Sequence, residues 1–81
     1  MTQEEKTKII NTFIIVASKE AMKEINTYEE IVKEAERLKM LLIEDLDCDK
    51  KTAEALRVKA EFEMLEIYNA RLDDELENAD E

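Results

Sequence analysis

The chain of 81 residues has a formal net charge of −10 and contains no glycine, no proline, no histidine and one cysteine. The tight turns of a sheet protein and phosphate-binding loops are hard to build without glycine, and the residues present favour helices. A single cysteine excludes an intramolecular disulfide, and no Cys/His metal cluster can form. We therefore predict an all-α protein, a helical hairpin or a three-helix bundle, without a cofactor, a metal or enzyme activity.

A first helix is predicted over residues 3 to 25. Thr2 and Glu5 have the spacing of a capping box, which marks a helix start. Apolar residues then recur every three or four positions, at Ile10, Phe13, Ile14, Ala17, Ala21 and Ile25. Residues 13 to 17 are apolar on nearly every side, so we expect this segment to be packed between neighbours or to contact another subunit.

A second helix is predicted over residues 28 to 46. Thr27 and Glu30 repeat the capping-box spacing, although one continuous bent helix through residues 26 and 27 is an alternative. The apolar positions follow steps of three and four, at Tyr28, Ile31, Val32, Ala35, Leu38, Leu42 and Leu46. This pattern is typical of an ordinary amphipathic helix.

The polar run at residues 45 to 51 predicts a turn that reverses the chain. Asp49, or alternatively Asp47, is expected to cap a third helix over residues 50 to 77. This helix carries two apolar stripes: Ala53, Leu56, Ala60, Met64 and Ile67 in one, and Val58, Phe62, Leu65, Tyr68, Leu72 and Leu76 in the other. At roughly 40 Å it is longer than a compact bundle of this size requires, which favours pairing with a second copy.

The apolar residues 13 to 17 of the first helix and the second apolar stripe of the third helix predict a homodimer formed through these two helices. Oligomerisation would also stabilise a chain this short, which has no disulfide and no metal. The residues expected at the contact are Phe13, Ile14, Val16, Phe62, Leu65 and Tyr68. All four aromatic residues of the chain fall on apolar stripes, so we expect them to pack in a core or an interface and not to form a ligand pocket.

The negative charge is concentrated in the second half of the chain. Residues 44 to 81 hold fourteen acids and five bases, and residues 73 to 81 hold six acids and no base. Such a surface disfavours direct binding to nucleic acid or to anionic membranes. It either keeps the protein in solution or imitates phosphates in the basic groove of a nucleic-acid-binding protein. The carboxylates expected to make that contact are Glu61, Glu63, Glu66, Asp73, Asp74, Glu75 and Glu77.

Several short motifs resemble catalytic or metal sites but are incomplete. The acids at 45, 47 and 49 have the spacing of a calcium loop, yet Lys50 replaces its glycine and Leu56 its last glutamate. The helical carboxylate pairs 44/47 and 63/66 are in the wrong order for a nucleotide pyrophosphohydrolase. Cys48 and Ser18 have no histidine that could activate them. We therefore interpret these residues as structural.

The sequence as a whole predicts a cytoplasmic protein-binding module. No basic signal region precedes the apolar residues 9 to 17, and that stretch is too short to span a membrane. Small size and acidity favour an inhibitor of a basic nucleic-acid-binding protein, of the viral or mobile-element type, as the leading function. An antitoxin or immunity protein that wraps a toxin, and a structural coiled-coil adaptor or scaffold, are the alternatives.

Overall fold

Three α-helices make up the fold in the computed structural model, which describes residues 2–79. They are α1 (Gln3–Ala21), α2 (Tyr28–Glu44) and α3 (Lys50–Ala79). The predicted all-α class is confirmed, and the three-helix arrangement is the form observed. Dimerisation stays a prediction.

The helices run up, down and up, with α3 packed against both others. Lys59, in the first half of α3, donates to the side chain of Asn11 in the middle of α1 (Nζ to Oδ1, 3.1 Å). Arg71, farther along α3, donates to the carbonyl of Met22 just after the end of α1, so α1 and α3 are parallel. Lys39 late in α2 pairs with Glu54 early in α3, so α2 is antiparallel to α3. The fold measures 53 × 22 × 18 Å, and the 30-residue α3 sets its long dimension.

The core is formed by one stripe from each helix. The largest fully buried side chains are Ile14, Met22, Ile31, Leu38, Leu42 and Met64. The buried Ser18 hydroxyl donates to the carbonyl of Ile14 (2.7 Å), which removes the cost of leaving a polar group unpaired in this core. Small residues Ala35, Ala53 and Ala60 are also fully buried, and they allow the helix backbones to approach closely.

All three helices begin with the caps that the sequence predicts. The Thr2 hydroxyl accepts the N–H of Glu5, and the Thr27 hydroxyl accepts the N–H of Glu30, each at 3.2 Å. The Asp49 carboxylate accepts the N–H of Thr52 at 3.1 Å, which starts α3. A single continuous helix through residues 26 and 27 is therefore wrong.

The first helix ends at Ala21, four residues before its predicted end at 25. The Arg71 guanidinium of α3 donates to the carbonyls of Met22 and Ile25, at 2.5 and 3.0 Å. A cation at a helix C-terminus satisfies carbonyls that have no partner within the helix. Ile25 lies outside the helix but is still buried in the core, which explains why it follows the apolar pattern.

The turn between α2 and α3 is made without glycine. The second helix ends at Glu44, and Asp47 takes a left-handed backbone conformation with φ of 58°. Aspartate tolerates this region better than most residues with a Cβ atom. The Cys48 N–H then donates across the turn to the carbonyl of Leu42 (2.9 Å).

None of the helices between residues 2 and 79 combines the length and apolarity needed to cross a lipid bilayer.

Candidate functional site

The side of α3 that faces away from the bundle carries apolar residues with the spacing of a coiled coil. When the polar residue Asn69 is counted with them, their steps alternate between three and four residues, which places them at the a and d positions of a heptad repeat. We call this set the outer seam: Ala55, Val58, Phe62, Leu65, Asn69, Leu72 and Leu76. It extends over about 32 Å of helix.

The outer seam and the buried stripe of α3 lie on opposite sides of the same helix. The buried stripe consists of Ala53, Leu56, Ala60 and Met64. At 3.6 residues per turn, its centre is roughly half a turn from the centre of the outer seam. Phe62 is 65% exposed and Leu76 is 66% exposed, whereas Met64 is fully buried. The fold therefore leaves most of the outer seam exposed, with Leu65 partly buried against the core.

Carboxylates along the first half of the outer seam are neutralised within the bundle. Arg57 donates to Glu54 (2.5 Å) and to Glu61 (3.1 Å), and Lys39 of α2 donates to Glu54 (2.9 Å). The hydrogen bond from Lys39, followed by the one from Arg57, lowers the pKa of Glu54. The hydrogen bond to Glu54 raises the pKa of Arg57. On the other edge of this half, Lys59 donates to the neutral amide of Asn11 and makes no ion pair among the described residues. This half of the seam thus has paired carboxylates on one edge and a cation on the other.

The second half of the outer seam is bordered by carboxylates that make no ion pair among the described residues. Arg71 is the last base in the sequence, and its guanidinium is held by the backbone carbonyls at the end of α1. Within the described part of the chain, the acids around this half make no ion pair; they are Glu63, Glu66, Asp73, Asp74 and Glu75. These carboxylates are therefore available to basic groups of another molecule.

The predicted acidic residues do not form a single face. Glu66 and Asp73 are seven residues apart and lie along one edge of the outer seam, while Glu61 and Glu75 lie along the other. Glu63 and Asp74 lie farther round α3, beyond the edge that Glu66 and Asp73 occupy. Glu61 differs from the rest because it is paired with Arg57. The side chain of Glu77 lies outside the described residues, as do residues 80 and 81.

The residues predicted to mediate self-association are distributed between the core and the surface. Ile14 is fully buried among the three helices. Its assignment to self-association, like the others, stays a prediction. Phe13, Leu65 and Tyr68 are half-buried against the core. Val16 and Phe62 are exposed, but they lie on different helices. The structure groups Phe62 and Leu65 on the outer seam and leaves Val16 apart from it.

Two aromatic residues depart from the expected packing. Phe62 and Tyr28 are more than half exposed and belong neither to the core nor to any interface within the bundle. For Phe62 the reason is geometric, because α1 and α2 occupy only the opposite side of α3. Tyr28 is the first residue of α2, where the helix has no neighbour beyond its end.

A second apolar surface lies between α1 and α2. Its groove of about 430 Å³ is lined by Ile9, Ile10, Phe13, Leu41, Leu46 and the side chain of Lys6. It exists because α1 and α2 each pack closely on α3 and less closely on each other. It is shorter than the outer seam and has no regular charged edge.

The turn between α2 and α3 places its acids in structural roles. Two hydrogen bonds from Thr52 lower the pKa of the Asp49 carboxylate. The one from its side chain has the larger effect, and the one from its backbone N–H has the smaller. Cys48 packs half-buried against the core. Among the described residues, no three Cys, Asp or Glu side chains are grouped closely enough to hold a metal ion.

Two members of the outer seam were not identified from the sequence. Ala55 and Asn69 occupy heptad positions, but neither is a large apolar residue, so a search for apolar stripes passes over them. The strict alternation of three and four from Val58 to Leu76 would have identified both. Their inclusion shows that the seam is continuous, with one polar residue in its second half.

Comparisons with known proteins give no relatives for this chain: no family model matches it, and neither a curated protein nor a solved structure does.

Proposed function

We propose that this protein is a non-enzymatic binding module that captures a basic nucleic-acid-binding protein through the outer seam of α3 and keeps that protein from its nucleic acid. The observation that carries the proposal is the exposed apolar side chains of the outer seam, bordered in its second half by carboxylates that make no ion pair among the described residues. Contiguous apolar surface on a small protein commonly marks an interaction site.

The outer seam argues against a purely solubilising role for the acids. A surface that only maintains solubility needs mixed polar residues and gains nothing from regularly spaced phenylalanine and leucine. Phe62, Leu72 and Leu76 instead offer large side chains whose burial contributes roughly 1.5–3 kcal/mol each. Apolar burial provides affinity, while charges at the edge determine which partner is attracted.

The charge around the seam selects a basic partner. Glu66, Asp73 and Glu75 are exposed and unpaired within the described residues, and phosphates would be repelled by them. A protein that binds nucleic acid offers Lys and Arg side chains that normally neutralise phosphates. Occupying those side chains with carboxylates would block the nucleic acid by direct competition.

Capture from nuclease-treated host lysate tests the proposal when matched variants are compared by quantitative mass spectrometry. The seam variant carries Phe62→Ser and Leu72→Ser, and its control carries Val16→Ser and Val32→Ser on α1 and α2. The acid variant carries Glu66→Gln, Asp73→Asn and Glu75→Gln. Its control is the charge-matched triple substitution outside α3, Glu24→Gln, Glu29→Gln and Glu36→Gln.

We expect the wild type and both controls to retain a basic nucleic-acid-binding protein that the seam and acid variants lose. Added duplex DNA or RNA should release that protein from the wild type. Equal capture by the seam variant and its control would contradict the proposal.

The coiled-coil spacing of the outer seam also favours a second candidate, a scaffold that pairs with itself. That function predicts a wild-type dimer in sedimentation equilibrium that Phe62→Ser and Leu72→Ser convert to a monomer. An antitoxin that wraps a toxin would instead hold its partner through washes at high salt, because apolar contacts are not screened as surface charges are.

A further inference from the structure

We infer that the occupant of the outer seam is a single basic amphipathic helix, which forms a two-stranded coiled coil with α3 and is held in register by Asn69. This inference rests on the proposed function and specifies how the partner is bound. The partner segment would present apolar a and d residues, Lys or Arg beside Glu66, Asp73 and Glu75, and a polar residue opposite Asn69.

The shape of the seam selects a helix as the occupant. From Ala55 to Leu76 the steps are three, four, three, four, three and four, and this 3.5-residue period is the one that two supercoiled helices share. The exposed strip follows one side of a single helix, since α1 and α2 pack on the other side of α3. A flat or globular surface would contact only part of it.

Asn69 is the feature that determines register. It is exposed on α3 and occupies an a position, with Leu65 and Leu72 on either side. A bound helix would bury its amide, and a buried amide without a hydrogen-bond partner is costly. One asparagine at an a position is known to specify alignment at some cost in stability. The partner therefore needs a polar side chain at the one position that meets Asn69.

The edges of the seam favour a different chain over a second copy of this one. In a parallel pair, Glu61 on one helix would meet Glu66 on the other, and only Glu54 would meet a cation, Lys59. In an antiparallel pair centred on Glu66, Glu66 would face its own counterpart and Glu61 would approach Glu75. There too Lys59 is the one cation, and it would approach Asp73. Like charges at such positions are destabilising, whereas Lys or Arg in the same places would form ion pairs.

Synthetic helical peptides about four heptads long test this inference directly. Three basic peptides carry Lys at every e and g position and Ile and Leu at a and d. One has no asparagine, one has Asn at a central a position, and one has Asn at a central d position. An acidic peptide with Glu edges and a basic peptide of scrambled order are the controls. Binding is measured by titration calorimetry, and helix formation by circular dichroism.

The wild-type protein should bind one of the two Asn peptides at least about tenfold more tightly than the all-apolar basic peptide. The Asn69→Ile protein should reverse that preference. The control Ala70→Ile, which adds the same side chain one residue away from the seam, should leave the preference unchanged. The acidic and scrambled peptides should bind at least about tenfold more weakly than the preferred peptide.

Several results would overturn the inference while leaving the proposed function intact. Equal binding of all three basic peptides would remove the role of Asn69. Failure of every peptide, together with successful capture of a nucleic-acid-binding protein by the same preparation, would show that the occupant is not a helix. A micromolar wild-type dimer that Phe62→Ser abolishes would identify the occupant as a second copy. Loss of both peptide binding and capture would reject the inference and the proposed function together.

Discussion

The second and third helices use their apolar residues differently. In α2, Ile31, Ala35, Leu38 and Leu42 form one buried stripe, and the opposite side is mainly polar. In α3, a buried stripe and an exposed apolar seam lie on opposite sides of one helix. The bundle needs only the buried stripes for its core, and the exposed seam of α3 adds nothing to that core. The comparison therefore separates residues that stabilise the bundle from residues that are available to a partner.

The largest expected effect distinguishes the stripe of α2 from the outer seam of α3. Leu42→Ala should lower the free energy of unfolding by about 2–5 kcal/mol, because Leu42 is fully buried and its truncation leaves a cavity. Phe62→Ala should change it by no more than about 0.5 kcal/mol, because Phe62 is mostly exposed. Urea unfolding followed by circular dichroism measures both. Similar losses for the two variants would show that the seam is covered in solution.

A smaller effect is expected at Arg71, where α3 supports the end of α1. Arg71→Ala should lower the free energy of unfolding by about 1–2 kcal/mol, because the carbonyls of Met22 and Ile25 lose a charged donor. Amide hydrogen exchange should increase near the end of α1 more than within α3. Arg37→Ala is the matched control, since Arg37 pairs on the surface with Glu34 of its own helix. An equal loss in both variants would argue against a specific role for Arg71.

The caps of α2 and α3 should each contribute about 1 kcal/mol to the free energy of unfolding. Thr27→Ala removes the hydroxyl that accepts the Glu30 N–H, and Asp49→Ala removes the carboxylate that accepts the Thr52 N–H. Thermal unfolding of the two variants is compared with that of Thr12→Ala, an exposed threonine within α1. If the cap variants unfold at the same temperature as Thr12→Ala, water satisfies the N–H groups of Glu30 and Thr52 as well as the caps do.

The same two caps should differ in their response to pH. The Thr27 hydroxyl does not titrate, whereas hydrogen bonds from Thr52 lower the pKa of Asp49 from its usual 3.8. A carboxylate with a lowered pKa stabilises the fold above its unfolded-state pKa, and that stability is lost as the pH falls through the folded-state pKa. The difference in unfolding free energy between wild type and Asp49→Asn should therefore shrink as the pH falls below the usual pKa of 3.8 and disappear below the folded-state pKa. The difference between wild type and Thr27→Ala should remain there.

The local features of this fold were accessible from the sequence. Thr2, Thr27 and Asp49 cap their own helices through atoms three residues away, so a short window contains all the required information. The buried stripe of α2 follows from the helical period alone. The end of α1 was misplaced because it depends on Arg71, 50 residues beyond Ala21 in the chain.

The sequence by itself determined the helical class, the helix starts and the concentration of negative charge, because helix propensity, capping and charge depend on near neighbours. It also showed that α3 has more apolar residues than one face can use. Only the tertiary structure decided which of its two stripes is buried and that Arg71 is held by the end of α1. The physical reason is that both stripes of α3 fit the helical period, and the choice between them depends on where α1 and α2 pack.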